Sequence, residues 1–214
     1  MPQTVWIARH GNRLDFVNPE WFNTAERRYD PPLSDDGVVQ AQELAARLKN
    51  EAITQIFVSP FLRTIQTANE VAQVLDLPLK LEWGFCEWLN PQWMTQMPET
   101  HPQEWLAERY PLIDWSYQSW LKPQYPETET ELNIRTAQTI QHLVKTYSEN
   151  ILVVGHGGSV FGTTQGLVPN IERFRVSLCS LTKLVKEKSN YEWQTELLAD
   201  ISHLSSSQQQ FRLN

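Results

Sequence analysis

Apolar positions recur along this chain in two rhythms. Compact runs at residues 4–8, 53–58 and 151–154 (Thr-Val-Trp-Ile-Ala, Ile-Thr-Gln-Ile-Phe-Val and Ile-Leu-Val-Val) have the length and β-branched content of buried strands. Longer stretches between them repeat apolar residues every three or four positions, which is the helical period. Ser34 stands before one such stretch as an N-cap, with Asp35 and Asp36 in the first turn and Val38, Ala41, Leu44, Ala45 and Leu48 on one face. Ser59-Pro60 predicts the start of a second helix, Ser as cap and Pro in the first helical position, with Leu62, Ile65, Ala68, Ala72 and Leu75 facing inward. A third spans 129–147 and aligns Ala137, Ile140, Val144 and Tyr147. A third strand at 79–88 running into a loop, a helix after Gly158 and closing strands at 181–188 and 191–198 complete the count. Residues 12–32 read as a loop and 205–214 as a fraying polar tail.

Strands that alternate with helices predict a mostly parallel sheet covered on both faces, a three-layer α/β/α domain over 1–214. One segment breaks the rhythm. From about 88 to 130 prolines are frequent and periodicity is lost, and Trp88, Trp93, Trp105, Trp115 and Trp120 all fall there, five of the nine tryptophans. It reads as an insertion that either caps the site or simply packs onto the domain.

Composition narrows the picture. A formal charge of −7 argues against a general nucleic-acid partner. No apolar run has the length of a membrane span, and no leader-like segment precedes the first strand, so a soluble cytoplasmic protein is expected. Cys86 and Cys179 lack metal-type spacing and read as free buried thiols of a reducing compartment.

The candidate chemistry lies at strand ends. In open α/β sheets ligands bind beyond the carboxyl ends of the strands. Arg9, His10, Arg63, Glu87 and His156 each follow a strand or begin the next helix, so the fold can gather them on one edge. Arginine forks suit an anion with several oxygens. The start of the helix after Pro60 would add free N–H groups, and Gly11, Gly157 and Gly158 would let the main chain approach. A neutral imidazole is a nucleophile near neutral pH, and attack on phosphorus would give a phosphohistidine. Glu87, between Cys86 and Trp88, is the best-placed acid, since apolar neighbours would favour its protonated form; Glu82 and Glu99 compete in sequence. This chemistry calls for no metal and no cofactor.

Five ordered motifs, "RHG", "PPLSDDGVVQA", "VSPFLRTIQTA", "FCEW" and "VVGHGG", resemble the histidine phosphatase superfamily with its phosphoglycerate mutase-like fold. The form "RHGNRLD" is most similar to the phosphatase domain of suppressor-of-T-cell-receptor-signalling proteins. The resemblance implies His10 as the phosphorylated nucleophile, Arg9, Arg63 and His156 as phosphoryl ligands, and Glu87 as proton donor. It adds Arg13 facing the phosphate, and Asn12 in the same pocket. Mutases of the family carry an acidic residue and Ser after the glycine, where this chain has Asn12-Arg13-Leu14-Asp15. That departure favours hydrolysis of a small phosphomonoester or phosphorylated side chain, with a mutase-type phosphotransferase or a catalytically weak phospho-ligand binding module as alternatives. His101, His142 and His203 read as structural or exposed, and Arg27 and Arg28 as a solvated loop. The rings of the Trp88–Tyr125 segment, with Trp21 and Phe22, either favour an aromatic or apolar alcohol or simply pack an insertion onto the domain.

Overall fold

A computed structural model describes residues 2–187 and 192–205. Its strands are β1 (Thr4–Arg9), β2 (Gln55–Val58), β3 (Leu79–Leu81), β4 (Ile151–Gly155), β5 (Leu181–Lys186) and β6 (Trp193–Asp200). They form one sheet in the order β3-β2-β4-β1-β5-β6. The first four in that order run parallel, with β1 in register on β4 from Val5↔Ile151 to Arg9↔Gly155. Strand β5 pairs antiparallel with β1, and β6 with β5.

The loop after β1 holds two single turns, α1 (Leu14–Val17) and α2 (Trp21–Thr24). Alternation along the strands then divides the core. Trp6, Ala8, Ile56, Val58, Leu152 and Val154 face α3 (Asp35–Leu48) and α4 (Leu62–Leu75), which contribute Leu44, Leu48, Ile65 and Ala68. A short helix, α5 (Gln103–Arg109), lies within the aperiodic segment. On the opposite face, Val5, Ile7, Phe57, Ile151 and Val153 meet Ile140 and Leu143 of α6 (Glu129–Thr146) and Val160 and Leu167 of α7 (Gly157–Leu167). The three-layer α/β/α architecture is the expected one.

Local starts differ from the sequence reading in instructive ways. Ser34 caps α3 as expected, its Oγ accepting the Gly37 N–H at 3.3 Å. Helix α4 begins two residues later than Ser59-Pro60 implies, after Phe61, and its Leu62 N–H is taken at 2.7 Å by Asp30 Oδ1 from a distant loop. Helix α6 turns a different face inward: Leu132, Arg135, Thr136, Thr139, Ile140 and Leu143 are buried, while Ala137 and Val144 are half-buried at the edge. The threonines can face inward because their hydroxyls donate to carbonyls one turn back, Thr136 to Leu132 at 2.9 Å and Thr139 to Arg135 at 2.8 Å. The third strand ends at Leu81, followed by a 3₁₀ turn at Trp83–Phe85, and β6 lies two residues beyond its expected place.

The aperiodic segment wraps the β3 edge. Leu79 N–H donates to Leu112 O and Asp114 N–H to Leu79 O, both at 2.8 Å, which covers an otherwise open strand. Leu106 and Ile113 join the α3/α4 core, and Tyr117 packs on the opposite one. Cys86 and Cys179 are free and buried. No helix among the described residues is long and apolar enough to cross a membrane. Residues 206–214, nearly all of the tail expected to fray, lie outside the described residues, as do 188 and 191 at the ends expected for the closing strands.

Candidate active site

His10 follows the last residue of the central strand β1 and is fully buried. Its main chain continues the ladder on both sides: its N–H donates to Gly155 O, and its carbonyl accepts the Cys179 N–H, each at 3.0 Å. The ring is oriented by its own neighbour, with Nδ1 at 2.7 Å from Gly11 O. A carbonyl only accepts, so Nδ1 carries the proton and the Nε2 lone pair is exposed to the pocket. That Nε2 is buried without a partner among the described residues. Burial, then the charges of Arg63, Arg9 and Arg13, hold the imidazole well below the usual histidine pKa, so it is neutral.

The second histidine caps α7, with its N–H accepted by Ser159 Oγ at 2.8 Å. The two rings meet edge to face, with centroids 5.3 Å apart. His156 Nδ1 lies 3.2 Å from Arg63 Nη2, a group that can only donate. His156 is also held well below the usual pKa, chiefly by burial and Arg63, so Nδ1 accepts and Nε2–H donates to Ser59 Oγ at 2.8 Å. Ser59, expected as a helix cap, instead fixes this tautomer.

Arg63 is buried at the start of α4, where a cation opposes the helix dipole unless anions are close. Glu87 Oε2 at 3.3 Å and Asp30 Oδ1 at 3.9 Å supply them. Burial, then Arg13, lower the Arg63 pKa to about 10, and burial does the same to Arg9, so both stay charged at neutral pH. Asp30 is pushed the other way, up to about 6, chiefly by burial. Glu87 therefore has a guanidinium against it where apolar surface was expected, and its Oε1 accepts the Trp88 N–H at 3.0 Å.

Arg9 anchors one amino group on Val176 O at 2.8 Å and shares a cavity with Glu87 and Gly157. A Cβ on Gly157 would lie 3.6 Å from the Arg9 guanidinium carbon. Arg13 lines a second cavity with Arg63 and Glu87, its Nε bound to Asp15 Oδ1 at 2.9 Å. Four sequence expectations change here. Asn12 is engaged structurally, its amide donating to Asp36 Oδ2 at 2.6 Å and its Oδ1 accepting the Arg13 N–H at 3.0 Å. Gly11 is small for packing, since a Cβ would meet Gly37 O at 2.5 Å. Gly158 likewise makes room for Leu132, and the first N–H of α4 is already capped by Asp30.

Donor atoms of His10, Glu87 and His156 lie within 4.8 Å of one another, the spacing of a metal site. Arg63 Nη2 sits against both the Glu87 carboxylate and His156 Nδ1, and Arg9 and Arg13 raise the local positive charge. A cation would have to displace a guanidinium, whereas Arg63 Nε, a donor buried without a partner among the described residues, calls for an acceptor such as an oxyanion. The set suits an anion.

Sequence reasoning missed one pair of buried charges. Arg135 holds Glu127 in a two-point bond, at 2.6 and 2.7 Å, and donates to the carbonyls of Gly84 at 2.9 Å, Cys86 at 3.3 Å and Glu87 at 3.4 Å. Trp88 Nε1–H donates to Glu127 O at 2.8 Å. The clamp fixes the backbone that carries Glu87. Its signal was an arginine at an inward position of a helix, which an apolar-only face passes over. Glu82, the competing carboxylate, is engaged by Tyr117 Oη and Ser119 Oγ at 2.6 Å each and by the Trp120 N–H, and Glu99 is exposed. His101 stacks on Trp105, His142 on Trp120, and His203 donates to Cys179 O, which makes all three structural.

Residues 5–200 match the Histidine phosphatase superfamily (branch 1). The chain belongs to that superfamily. The 55 kDa subunit of transcription factor tau from Saccharomyces cerevisiae is 31% identical over 88% of this chain, which spans 48% of that protein's length. A probable phosphoglycerate mutase, GpmB, of Photorhabdus laumondii is 30% identical over 94% of this chain and 95% of its own. Among solved structures, the ecdysone phosphate phosphatase of Bombyx mori, in complex with tungstate, superposes with a TM-score of 0.80 at 20% identity, over 98% of each chain. An Entamoeba histolytica phosphoserine phosphatase does so at 0.64 and 18%, over 95% of this chain and all of its own. These superpositions share the fold, and the histidine phosphatase architecture of this chain accounts for them.

Proposed function

We propose that the protein is a phosphatase that hydrolyses a small phosphomonoester through phospho-His10, without a metal ion. The observation that carries this reading is the His10 Nε2 lone pair, buried without a partner among the described residues and fixed in tautomer by Gly11 O. Arg9 and Arg63 receive the phosphoryl oxygens, with Arg13 at the rim, and His156 joins them once the bound anion favours its protonated form, whose Nδ1–H can donate. The phosphoryl group of a monoanionic ester takes the Arg63 guanidinium from Glu87, and the ester's own proton passes to the carboxylate. Nε2 forms the P–N bond as the P–O bond to the alcohol breaks, and the Glu87 proton goes to the leaving oxygen. Glu87, now ionised, accepts a proton from water whose oxygen attacks phosphorus, and P–N cleavage returns neutral His10 and inorganic phosphate. The arginines stabilise the equatorial oxygens throughout.

Purified protein should hydrolyse 4-nitrophenyl phosphate with a chelator present, and His10→Ala should lower the rate by roughly 10³-fold or more. A variant that keeps its rate would remove the assignment. Turnover lost to the chelator and restored by a divalent ion would remove the metal-independent form.

Relatives named as probable phosphoglycerate mutases favour a second reading, in which phosphate returns from His10 to a phosphoglycerate hydroxyl. The Asn12-Arg13 sequence, with Asn12 tied to α3 and Arg13 to Asp15, supports the phosphatase instead. Incubation with 3-phosphoglycerate separates them, because a mutase yields an isomeric phosphoglycerate while a phosphatase yields glycerate and phosphate. We assign the start of the 88–130 insertion of the single domain, with Trp88 and Trp93, as a cap over the site, while its 106–114 part packs on the β3 edge.

A further inference from the structure

We propose that the alcohol half of the substrate is apolar, and that it lies in the cleft between the turns α1 and α2 and the start of the tryptophan-rich segment. This rests on the phosphatase reading. The cleft, about 290 Å³, shares Arg63 and Glu87 with the phosphoryl site, so a leaving group next to the proton donor has direct access to it. That volume sits at the lower end of the roughly 300–1,000 Å³ typical of small-molecule pockets. Phe16, Phe22, Tyr29, Trp93 and Met94 form its walls. Phe22 is 44% exposed and Trp93 50%, large apolar surfaces left in water beside a buried reactive centre. A bound apolar group would cover them.

The polar groups around this cleft are already engaged. Arg13 is held by Asp15 through Nε at 2.9 Å and by a second amino contact, and its guanidinium lies 4.4 Å over the Phe16 ring. Tyr29 Oη bonds to Thr95 Oγ1 at 3.0 Å and accepts the Thr95 N–H at 3.1 Å, which leaves its ring as the contact surface. Met94 O accepts Tyr125 Oη–H at 2.6 Å. A carboxylate on the substrate, as in phosphoglycerate, would have to compete with Asp15 for Arg13, the guanidinium that lines this cleft outside the phosphoryl cradle among the described residues. In the adjoining cavity Arg173 is bound to Glu129 at 2.8 Å and Arg175 is engaged as well. The cleft thus selects against a second anionic group and for a hydrocarbon or aryl alcohol.

A series of n-alkyl phosphates from propyl to octyl tests this, because leaving-group basicity is nearly constant while apolar length grows. kcat/KM should rise roughly two- to fourfold per methylene until the cleft is filled. Hexyl phosphate should exceed 3-phosphoglycerate by about 10²-fold, the product of several such steps. Phe22→Ala and Trp93→Ala should each reduce the slope with chain length. A flat wild-type slope while turnover persists, or a preference for 3-phosphoglycerate, overturns the proposal and leaves the phosphatase reading standing. If no ester is hydrolysed, 4-nitrophenyl phosphate included, the phosphatase reading falls and this proposal falls with it.

Discussion

The phosphoryl cradle and the cleft beside it are built from different material. In the cradle, His10, Arg63 and His156 are almost wholly buried, and backbone or side-chain partners fix each one. The cleft is walled by half-exposed rings on two single-turn helices and a loop. Strand ends and long helices hold the reacting groups to one geometry, as chemistry on phosphorus demands. Short turns hold the surface that selects the alcohol, where a substitution can change preference without disturbing the core. One fold thus keeps reaction and selectivity on largely separate elements, joined at Arg63 and Glu87, cradle residues that also line the cleft.

That separation can be broken from the cradle side. Glu87→Gln keeps the shape and removes the transferable proton, so esters of basic alcohols should lose about 10²–10⁴-fold in kcat. 4-Nitrophenyl phosphate, whose phenolate leaves unaided, should lose far less in the first step. Equal losses across leaving groups, measured by burst and steady-state rates, would mean that Glu87 only positions Arg63. A smaller effect concerns pH. Because burial and three arginines lower the His10 pKa, its reactive neutral form persists below pH 6.5 and is lost only as pH falls through the depressed value. An ordinary histidine would lose about fivefold of its neutral form between pH 6.5 and 5.5. Corrected for substrate ionisation, kcat/KM should show no such fall, and a limb near 6.5 would place the nucleophile in a more solvated setting.

Much of the cradle was legible before any coordinates. Arg9, His10, Arg63, Glu87 and His156 each stand where a strand gives way to a loop or helix, and the crossovers of a parallel sheet leave them on one edge. The layers followed from period alone. What stayed hidden depended on partners distant in sequence. Asp30 takes over the capping of α4 from 32 positions away, which freed Ser59 for His156. Arg135 is passed over by an apolar face, and its place shows only in its two-point bond to Glu127 and its contacts to the carbonyls of the 84–87 turn. Gly11 appeared to make room for a ligand, but the space is filled by the backbone of α3. The wrapping of residues 88–130 around β3 rests on single hydrogen bonds and isolated side chains, which leave no period to read.

The ladder through His10 has a consequence that rate measurements would not reveal. With its N–H on Gly155 and its carbonyl on Cys179, the residue that would receive the phosphoryl group is held from both sides at the centre of the sheet. Its amide should exchange with deuterium only when the whole domain opens, as slowly as those of Ile7 and Val153, while amides around Phe22 and Trp93 exchange early. Exchange read by mass spectrometry would then order the molecule by time, from seconds at the cleft to the global unfolding time at the nucleophile. A fast His10 amide would show that the strand end opens on its own.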